Sequence, residues 1–455
     1  MTGHNELIVS VSGIRGIVGE GLTPEAALAF AAALGTQTRG GRIVLSRDGR
    51  PSGDMLRHAV LAGLLGSGCE VQDLGVAPTP TVGLAVRRLG AGGGIQITAS
   101  HNPAPWNGLK LFGADGAVLS ASLGRNIQAI FESRSFQRMT SEKLGSLAEC
   151  RHAEDWHRDR VLELVDVVRI RARGLRVFLD ANGGAGGPLG RRLLEAFQTR
   201  PICHACDADG IFLHEPEPIA ANLKDVCPLI PQNGADVGFV LDPDADRLAL
   251  IDETGRYIGE EMTLALAVLF RLHEESRKSA EPTPGPVVIN MSTSRVIEDI
   301  AKRFGRDCFR SAVGEANVVE KMGETHALIG GEGNGGVIDP RVGFVRDPFI
   351  GMGLILNLMA ETGKKLSELV AELPAYSIIK DKYVVGKDRL PDLFRKLRAR
   401  WPETAANDID GLRLDWKDRW VHIRPSNTEP IVRVIAEAPD EREAQALCRE
   451  VGGLL

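Results

Sequence analysis

The sequence predicts an α/β protein of several domains, three of them built alike and the last a small α+β unit. Three observations carry that prediction. First, Arg42-Ile43-Val44-Leu45-Ser46, Leu175-Arg176-Val177-Phe178-Leu179-Asp180 and Val287-Val288-Ile289-Asn290 are strand-like runs, each ending in a polar loop before a helix start. They recur a little over a hundred residues apart, as three copies of one α/β layer would. Second, the texture changes beyond Leu373-Pro374 to short strands at close spacing, read as an antiparallel sheet with two helices. Third, 455 residues exceed a single domain, and roughly three or four is the natural number. Candidate boundaries near Glu149–Trp156, Asp252–Gly259 and Leu373–Ile378 give domains at 1–150, 151–254, 255–373 and 374–455.

Taken in order, Val9 to Gly16 reads as a short strand running into Arg15, which is flanked by glycine on the C-terminal side and, one residue removed, on the other. Glycines let the backbone approach a ligand while Arg15 offers a planar cationic fork; an arginine on an ordinary turn is the plain alternative. Thr23-Pro24 opens an alanine-rich helix. The strand at 42–46 ends in Arg47-Asp48-Gly49-Arg50, ahead of a helix from about Ser52 to Gly66. Gly92-Gly93-Gly94 and Ile95-Gln96-Ile97 form a strand that delivers Thr98-Ala99-Ser100-His101-Asn102-Pro103. Val237–Leu241 is a strand before an acidic loop, and Met262–Phe270 and Phe349–Ala360 read as buried helices. In the last domain Lys382–Val385, Gly411–Leu414, Trp420–Ile423 and Ile431–Ile435 are strands, with helices at about Arg389–Arg400 and from Asp440 onward.

Composition narrows the function classes. A net charge of −6 offers nothing to nucleic acid or to an anionic membrane. The amino terminus lacks a basic region followed by an apolar core, and the longest apolar runs are too short to span a bilayer. Seven cysteines at irregular spacing fit reduced thiols and a cytoplasmic location. Cys203-His204-Ala205-Cys206 suggests zinc or redox chemistry, but no second such pair exists. The glycines at 183–187 lack the GxGxxG spacing of a dinucleotide site.

Four loops carry chemistry. Ser100 lies between small Ala99 and the turn-forming Asn102-Pro103, placed to act as a nucleophile; a simple side-chain-capped turn is the alternative. Asp242-Pro243-Asp244-Ala245-Asp246-Arg247 sets three carboxylates at alternate positions, which repel unless a cation neutralises them. Converging oxygens suit magnesium. A calcium EF-hand is excluded because Arg247 stands where that loop needs glycine. Gly330-Gly331-Glu332-Gly333-Asn334-Gly335-Gly336 presents a carboxylate and an amide, a pair suited to adjacent sugar hydroxyls. Arg424-Pro425-Ser426-Asn427-Thr428-Glu429-Pro430 combines a guanidinium fork, hydroxyls and backbone N–H groups into a phosphate cradle, with Arg433 as a second cation.

Together with Ser12-Gly-Ile-Arg-Gly16 and Asn107-Gly-Leu-Lys110, these loops resemble the α-D-phosphohexomutase superfamily over nearly the whole chain. The resemblance implies four domains around a central cleft and an isomerase that interconverts hexose 6- and 1-phosphates. It implies that Ser100 is carried as phosphoserine and that transfer passes through a bound hexose 1,6-bisphosphate, which also serves as activator. Mg2+ would be held by Asp242, Asp244, Asp246 and a Ser100 phosphate oxygen. Arg15 and Arg247 would steady the transferring group. Glu332 and Asn334 would hold the sugar, and Arg424, Ser426, Asn427, Thr428 and Arg433 the non-reacting phosphate. Many members carry histidine where this chain has Gly336, so acid–base duty falls on Lys110, which needs a lowered pKa to act as a base, with His101 nearby. The glycine form of the sugar loop, with Val313–Val318, is most similar to archaeal-type phosphoglucosamine mutases, which implies glucosamine phosphate as substrate; a phosphomannomutase or phosphoglucomutase is the close alternative. On that reading Glu315 is the candidate partner for the sugar amine. A non-catalytic sugar-phosphate binder is the remote alternative, and the partner is a small hexose phosphate taken up by a monomer or homodimer.

Overall fold

In a computed structural model, residues 7–277, 283–386, 389–425 and 431–454 are described, and their strands form four sheets. The first three sheets share a four-strand plan. In the first, Ile43–Arg47 lies between Glu70–Val76 and Gly93–Ile97, all parallel, and Trp106–Phe112 returns antiparallel beside Gly93–Ile97. The second repeats this with Arg176–Asp180 between Arg200–His204 and Val237–Leu241, and Leu248–Asp252 returning. The third has Val287–Asn290 between Cys308–Ser311 and Ile329–Glu332, with Gly336–Ile338 returning. The three strand–loop–helix units read from the sequence therefore open with the first parallel strand of each four-strand plan; the first sheet carries three further strands, Ile8–Ser10, Gly13–Ile17 and Ser146–Glu149.

Alternation explains how helices cover both faces. In Ile43–Arg47, Ile43 and Leu45 enter a core with Phe30, Leu34, Val60 and Leu64 from helices Pro24–Gln37 and Ser52–Gly66. Val44 points the other way, into a core with Val82 and Val86 of helix Thr79–Leu89. A strand buried on both faces reads as continuous apolar sequence, as this one does.

On one face the second and third sheets share a core, while Phe178 and Val240 on the other face of the second, and Val288 and Ile338 on that of the third, enter smaller cores of their own. One apolar cluster runs from Leu179 and Phe239 through Leu264 and Val268 to Phe349 and Ile355. Helices Glu260–Ser276 and Pro348–Thr362, the two expected to be buried, pack together at the centre of that seam.

The fourth sheet is antiparallel throughout, in the order Ser377–Val384, Ile431–Ala438, Trp420–Pro425, Leu412–Asp415, Ala405–Asn407. Leu390–Arg400 and Glu441–Gly452 cover one face through Leu393, Leu397, Leu447 and Val451. The other face meets the third domain: His422 Nδ1 is 2.9 Å from Ser292 Oγ, Arg295 N donates to Glu437 Oε1 at 3.0 Å, and Val313 N donates to Asp410 Oδ2 at 3.0 Å.

Two local expectations change. Val9–Gly16 is a hairpin, not one strand: Ile8–Ser10 pairs with Gly13–Ile17, so Arg15 sits within a strand. Ala405–Asn407 is a strand the sequence did not announce, because an exposed edge strand needs no apolar run. Among the described residues no helix is long and apolar enough to cross a membrane.

Candidate active site

The chemistry gathers at one topological position. The loops at 98–105, 242–247 and 333–335 each join the third parallel strand of their sheet to the antiparallel return strand. Each thus leaves the carboxyl end of a parallel strand, where open α/β sheets bind ligands. Ser100 and Ala245 hold φ values of 51° each, a left-handed conformation that costs about 1–3 kcal/mol for a non-glycine residue and needs support from its surroundings.

That support is visible around Ser100. Its N–H donates to Thr98 Oγ1 at 2.8 Å. Arg50 Nη2 donates to the carbonyls of Ser100 and Asn102, each at 2.7 Å, and Nη1 donates to those of Pro103 at 2.9 Å and Trp106 at 3.1 Å. Arg50 is itself held by Asp48, whose Oδ2 accepts from Nε at 3.1 Å. Both side chains are fully buried, and Phe212 lies against the guanidinium. Arg15 Nη1 donates to Asn102 Oδ1 at 2.7 Å, which brings the N-terminal hairpin to the same loop.

The serine faces the acidic loop. Ser100 Oγ donates to Asp242 Oδ2 at 3.2 Å, while Asp242 Oδ1 accepts from the N–H groups of Asp246 and Arg247 at 3.0 and 3.1 Å. Asp244 Oδ2 accepts from Thr79 Oγ1 of the first domain at 2.6 Å. Lys110 Nζ reaches Asp246 Oδ2 at 2.6 Å and Asp244 Oδ2 at 3.3 Å. One oxygen from each aspartate lies within 4.8 Å of the others, the one such cluster of His, Cys, Asp or Glu among the described residues; Cys203 and Cys206 belong to none. Asp244 Oδ1 and Asp246 Oδ1 are buried with no hydrogen-bond partner. Carboxylate oxygens without hydrogen-bond partners in a fully buried triad fit a hard divalent cation, since a buried polar atom left unsatisfied is otherwise costly.

Electrostatics separate the titratable groups. Burial, then Asp246 and Asp244, pushes the Asp242 carboxyl well up. Burial pushes Asp246 the same way, but Arg346, Lys110 and Arg247 outweigh it and hold it low. Burial, then Arg247 and Arg15, drives His101 down to about 2, so its imidazole is neutral, with Nδ1 3.3 Å from Ser100 Oγ. Lys110 moves opposite to what base chemistry requires. Burial alone would lower it, yet Asp244, Asp246 and Glu315 together raise it, so it stays an ammonium. The carboxylates around Lys110 thus oppose the lowered pKa that base chemistry there requires.

The sugar loop also differs from expectation. Glu332 does not reach outward: its Oε1 accepts from Asn290 Nδ2 at 2.8 Å and Gly314 N at 3.1 Å, and its Oε2 from Arg346 Nη1 at 3.1 Å. Asn334 Oδ1 is buried without a partner, an acceptor free for a ligand hydroxyl. Glu315 is committed to Arg346, accepting from its backbone N at 2.9 Å and pairing with Nε at 3.2 Å. An amine-binding role for Glu315 therefore has to compete with a resident guanidinium.

On the fourth sheet, Lys382, Arg433 and Arg424 stand in register across three adjacent strands, so the three cations share one face. Arg424 Nε lies 3.1 Å from Asp410 Oδ2. Three cations on one face fit a phosphate-binding surface. Ser426, Asn427 and Thr428 lie outside the described residues.

Ser100, His101, Lys110, Arg15, Arg247 and the three aspartates thus share one cluster, while Arg424 and Arg433 stand apart from it on the fourth sheet. Sequence reasoning missed Arg50, Thr79, Asn290 and Arg346, which hold the loops without lying on them. It also missed Glu217, 3.9 Å from His101 Nε2 and 3.7 Å from Arg247 Nη1. The Asp48-Gly49-Arg50 turn was legible as polar but carried no mark of its target.

Four family descriptions match in order: phosphoglucomutase/phosphomannomutase α/β/α domain I over residues 7–138, domain II over 155–255, domain III over 261–376 and the C-terminal domain over 387–453. The chain is 37% identical over 448 residues to a phosphoglucomutase/phosphomannomutase of Thermococcus kodakarensis, covering 95% of each. It is 36% identical over 440 residues to a probable phosphoglucosamine mutase of Methanopyrus kandleri, covering 96% of this chain and 95% of that one. Among solved structures, a phosphoglucomutase/phosphomannomutase family protein from Burkholderia thailandensis superposes with a TM-score of 0.85 at 26% identity, covering 98% of both chains.

Proposed function

Because the chain belongs to the phosphoglucomutase/phosphomannomutase family of phosphohexomutases, an isomerase family, we propose that it moves a phosphoryl group between O6 and O1 of a hexose through Ser100. The observation that carries this reading is the contact of Ser100 Oγ with Asp242 in a loop held by Arg50, beside two buried carboxylate oxygens that lack partners. In each half-reaction the P–O bond to one oxygen breaks as a bond to the other forms. When phosphoserine donates, Ser100 Oγ leaves with the electron pair and the sugar hydroxyl proton ends on it. Acceptance from the 1,6-bisphosphate reverses these steps.

Neutral His101 can accept a hydrogen bond from the Ser100 hydroxyl through Nδ1, while its low basicity leaves the proton on the serine oxygen. Lys110, Arg15 and Arg247 supply fixed positive charge to the transferring group. Mg2+ bound by Asp242, Asp244 and Asp246 would add charge neutralisation of the phosphoryl oxygens. The row Lys382, Arg433 and Arg424 would grip the phosphate that is not reacting, and Asn334, with the spare acceptor capacity of Glu332, the sugar hydroxyls. Seven free thiols support a reducing, cytoplasmic setting.

The substrate we propose is glucosamine phosphate, supported by several archaeal relatives named probable phosphoglucosamine mutases. The relative named phosphoglucomutase/phosphomannomutase, one of two from Thermococcus kodakarensis, supports glucose or mannose phosphate instead. Relative kcat/KM for the three 6-phosphates, with intact mass on the same preparation, tests both levels. A preference for mannose or glucose phosphate overturns the substrate; turnover with no phosphorylated Ser100 overturns the mechanism.

A further inference from the structure

Gly336 ends the sugar loop at the start of a strand, and its φ lies outside the left-handed region, so its backbone does not require glycine. What excludes a side chain is Arg346. A Cβ at 336 would overlap Arg346 Cδ and come within 2.9 Å of Cγ. The stem of Arg346 crosses the place that any side chain at 336 would fill.

The guanidinium beyond that stem is shared among three carboxylates. Nη2 donates to Asp246 Oδ2 at 2.5 Å, Nη1 to Glu332 Oε2 at 3.1 Å, and Nε faces Glu315 Oε2 at 3.2 Å. Arg346 therefore connects the acidic loop of the second domain to the sugar loop of the third. Its backbone is pinned on both sides. Arg346 N donates to Glu315 Oε1, and the next residue, Asp347, caps helix Pro348–Thr362 by accepting from Phe349 N at 2.8 Å. Asp347 Oδ2 also lies 2.8 Å from His157 Nε2, whose Nδ1 lies 2.9 Å from Thr81 Oγ1 in the first domain. A planar fork held in this way is preorganised, whereas a lysine, a point charge on a flexible stem, would not fix three acceptors in that geometry.

Building on the mutase reading, we propose that Arg346 is a positioning residue that fixes the sugar-loop carboxylate Glu332 relative to the metal-loop carboxylate Asp246, with Gly336 providing the room it needs. It also sets the charge of the acidic loop, because Asp246 Oδ2 is committed to Arg346 and Lys110 while Oδ1 has no hydrogen-bond partner and faces Arg247 Nε at 3.9 Å.

Substitutions at Arg346 and Gly336 separate the charge from the fork. Magnesium affinity is measured by calorimetry without substrate, beside steady-state kinetics and thermal unfolding. Arg346→Met removes a unit charge one carboxylate away from the divalent site, so magnesium binding should tighten by at least about tenfold, the figure for a water-like dielectric. Its kcat should fall by about a hundredfold, because misplacing a substrate-positioning group by about 1 Å costs that much. Arg346→Lys keeps the charge and loses the fork, so kcat should fall while magnesium affinity holds. Gly336→Ala should cost at least about tenfold in kcat in the wild type and little in an Arg346→Ala background, since the clash is with Arg346. Unchanged or weaker magnesium binding in Arg346→Met, unchanged kcat in Arg346→Lys, or equal costs of Gly336→Ala in the two backgrounds would each overturn the proposal. The mutase reading fails separately, if the wild type interconverts no hexose phosphate. If Arg346→Met does not fold, the lysine and glycine arms still decide.

Discussion

Replacing Arg50 with methionine tests whether the serine loop is held in place from beneath. The change keeps an aliphatic stem and removes every polar contact of the guanidinium: four loop carbonyls and the Asp48 carboxylate. Asp48 is fully buried, and burial already raises its pKa despite the adjacent cation, so losing Arg50 strands a buried acid. Breaking such a pair by removing one partner costs about 3–5 kcal/mol, and that is the expected loss of unfolding free energy in urea. The rate should suffer independently. Ser100 sits at a φ of 51°, and a loop released from its clamp can relax away from Asp242, for an expected loss of about a hundredfold in kcat. Arg50→Lys should recover part of the stability and little of the rate, because an ammonium cannot serve four carbonyls in fork geometry. Circular dichroism through a urea series, steady-state kinetics and intact mass are the measurements. An Arg50→Met enzyme within about 1 kcal/mol of wild-type stability and with unchanged turnover would refute the reasoning.

Ser100→Ala should remove turnover and the single phosphate seen by intact mass while leaving the thermal midpoint close to wild type; an active variant would contradict the phosphoserine route. Chelation should abolish activity and magnesium should restore it better than calcium, and Asp244→Asn should need more magnesium for half-maximal rate; a chelated enzyme that keeps its rate would leave the triad a structural role alone. Glu261, which accepts from Ser294 N, is pushed up to about 8 by burial, against an ordinary 4.5. Between those values the folded protein keeps a proton that the unfolded chain releases, so this group makes stability fall as pH rises from 5 toward 8. Glu261→Gln should flatten that slope, and parallel slopes for the two proteins would show that the carboxyl ionises freely in the fold.

What the sequence displayed and what it hid follow one physical division. Strands buried on both faces must be apolar along their length, so Val44, Val177 and Val288 announced the three first strands. Loops that carry chemistry need acidic, small or left-handed-tolerant residues in short runs, so Ser100 and the aspartates were visible too. The N-terminal hairpin was read as one strand because Ser10-Val11-Ser12-Gly13 keeps a strand-like alternation through the turn, where Ser10 Oγ closes the bend on the Gly13 carbonyl at 3.0 Å. Glu332 was read as outward-facing from its glycine neighbours, yet Asn290 and Arg346, remote in sequence, turn it inward. Nothing local to Glu332 encodes that.

Two of the supporting residues were hidden because they act across domains. Thr79 begins a helix of the first domain but serves Asp244 of the second, and Arg346 precedes a helix of the third but reaches Asp246 of the second. A helix start and a polar loop are their complete local signatures, shared with dozens of residues that do nothing similar. The repeat makes the arrangement intelligible all the same. In each of the first three sheets the loop after the third strand carries the chemistry, while the loop after the first strand lies beside it and holds it. Arg50 follows the first strand of its sheet and clamps the Ser100 loop, and Asn290 ends the first strand of the third sheet and fixes Glu332. Thr293, three residues after Asn290, accepts from Gly333 N at 3.1 Å in the same way. A return strand pins both ends of each chemical loop to the sheet, and that constraint permits a serine and an alanine to be kept left-handed where an unpinned loop would relax. Chemistry at the third strand and support at the first is then a property of the shared plan, set by which two loop types are neighbours at the carboxyl edge of the sheet.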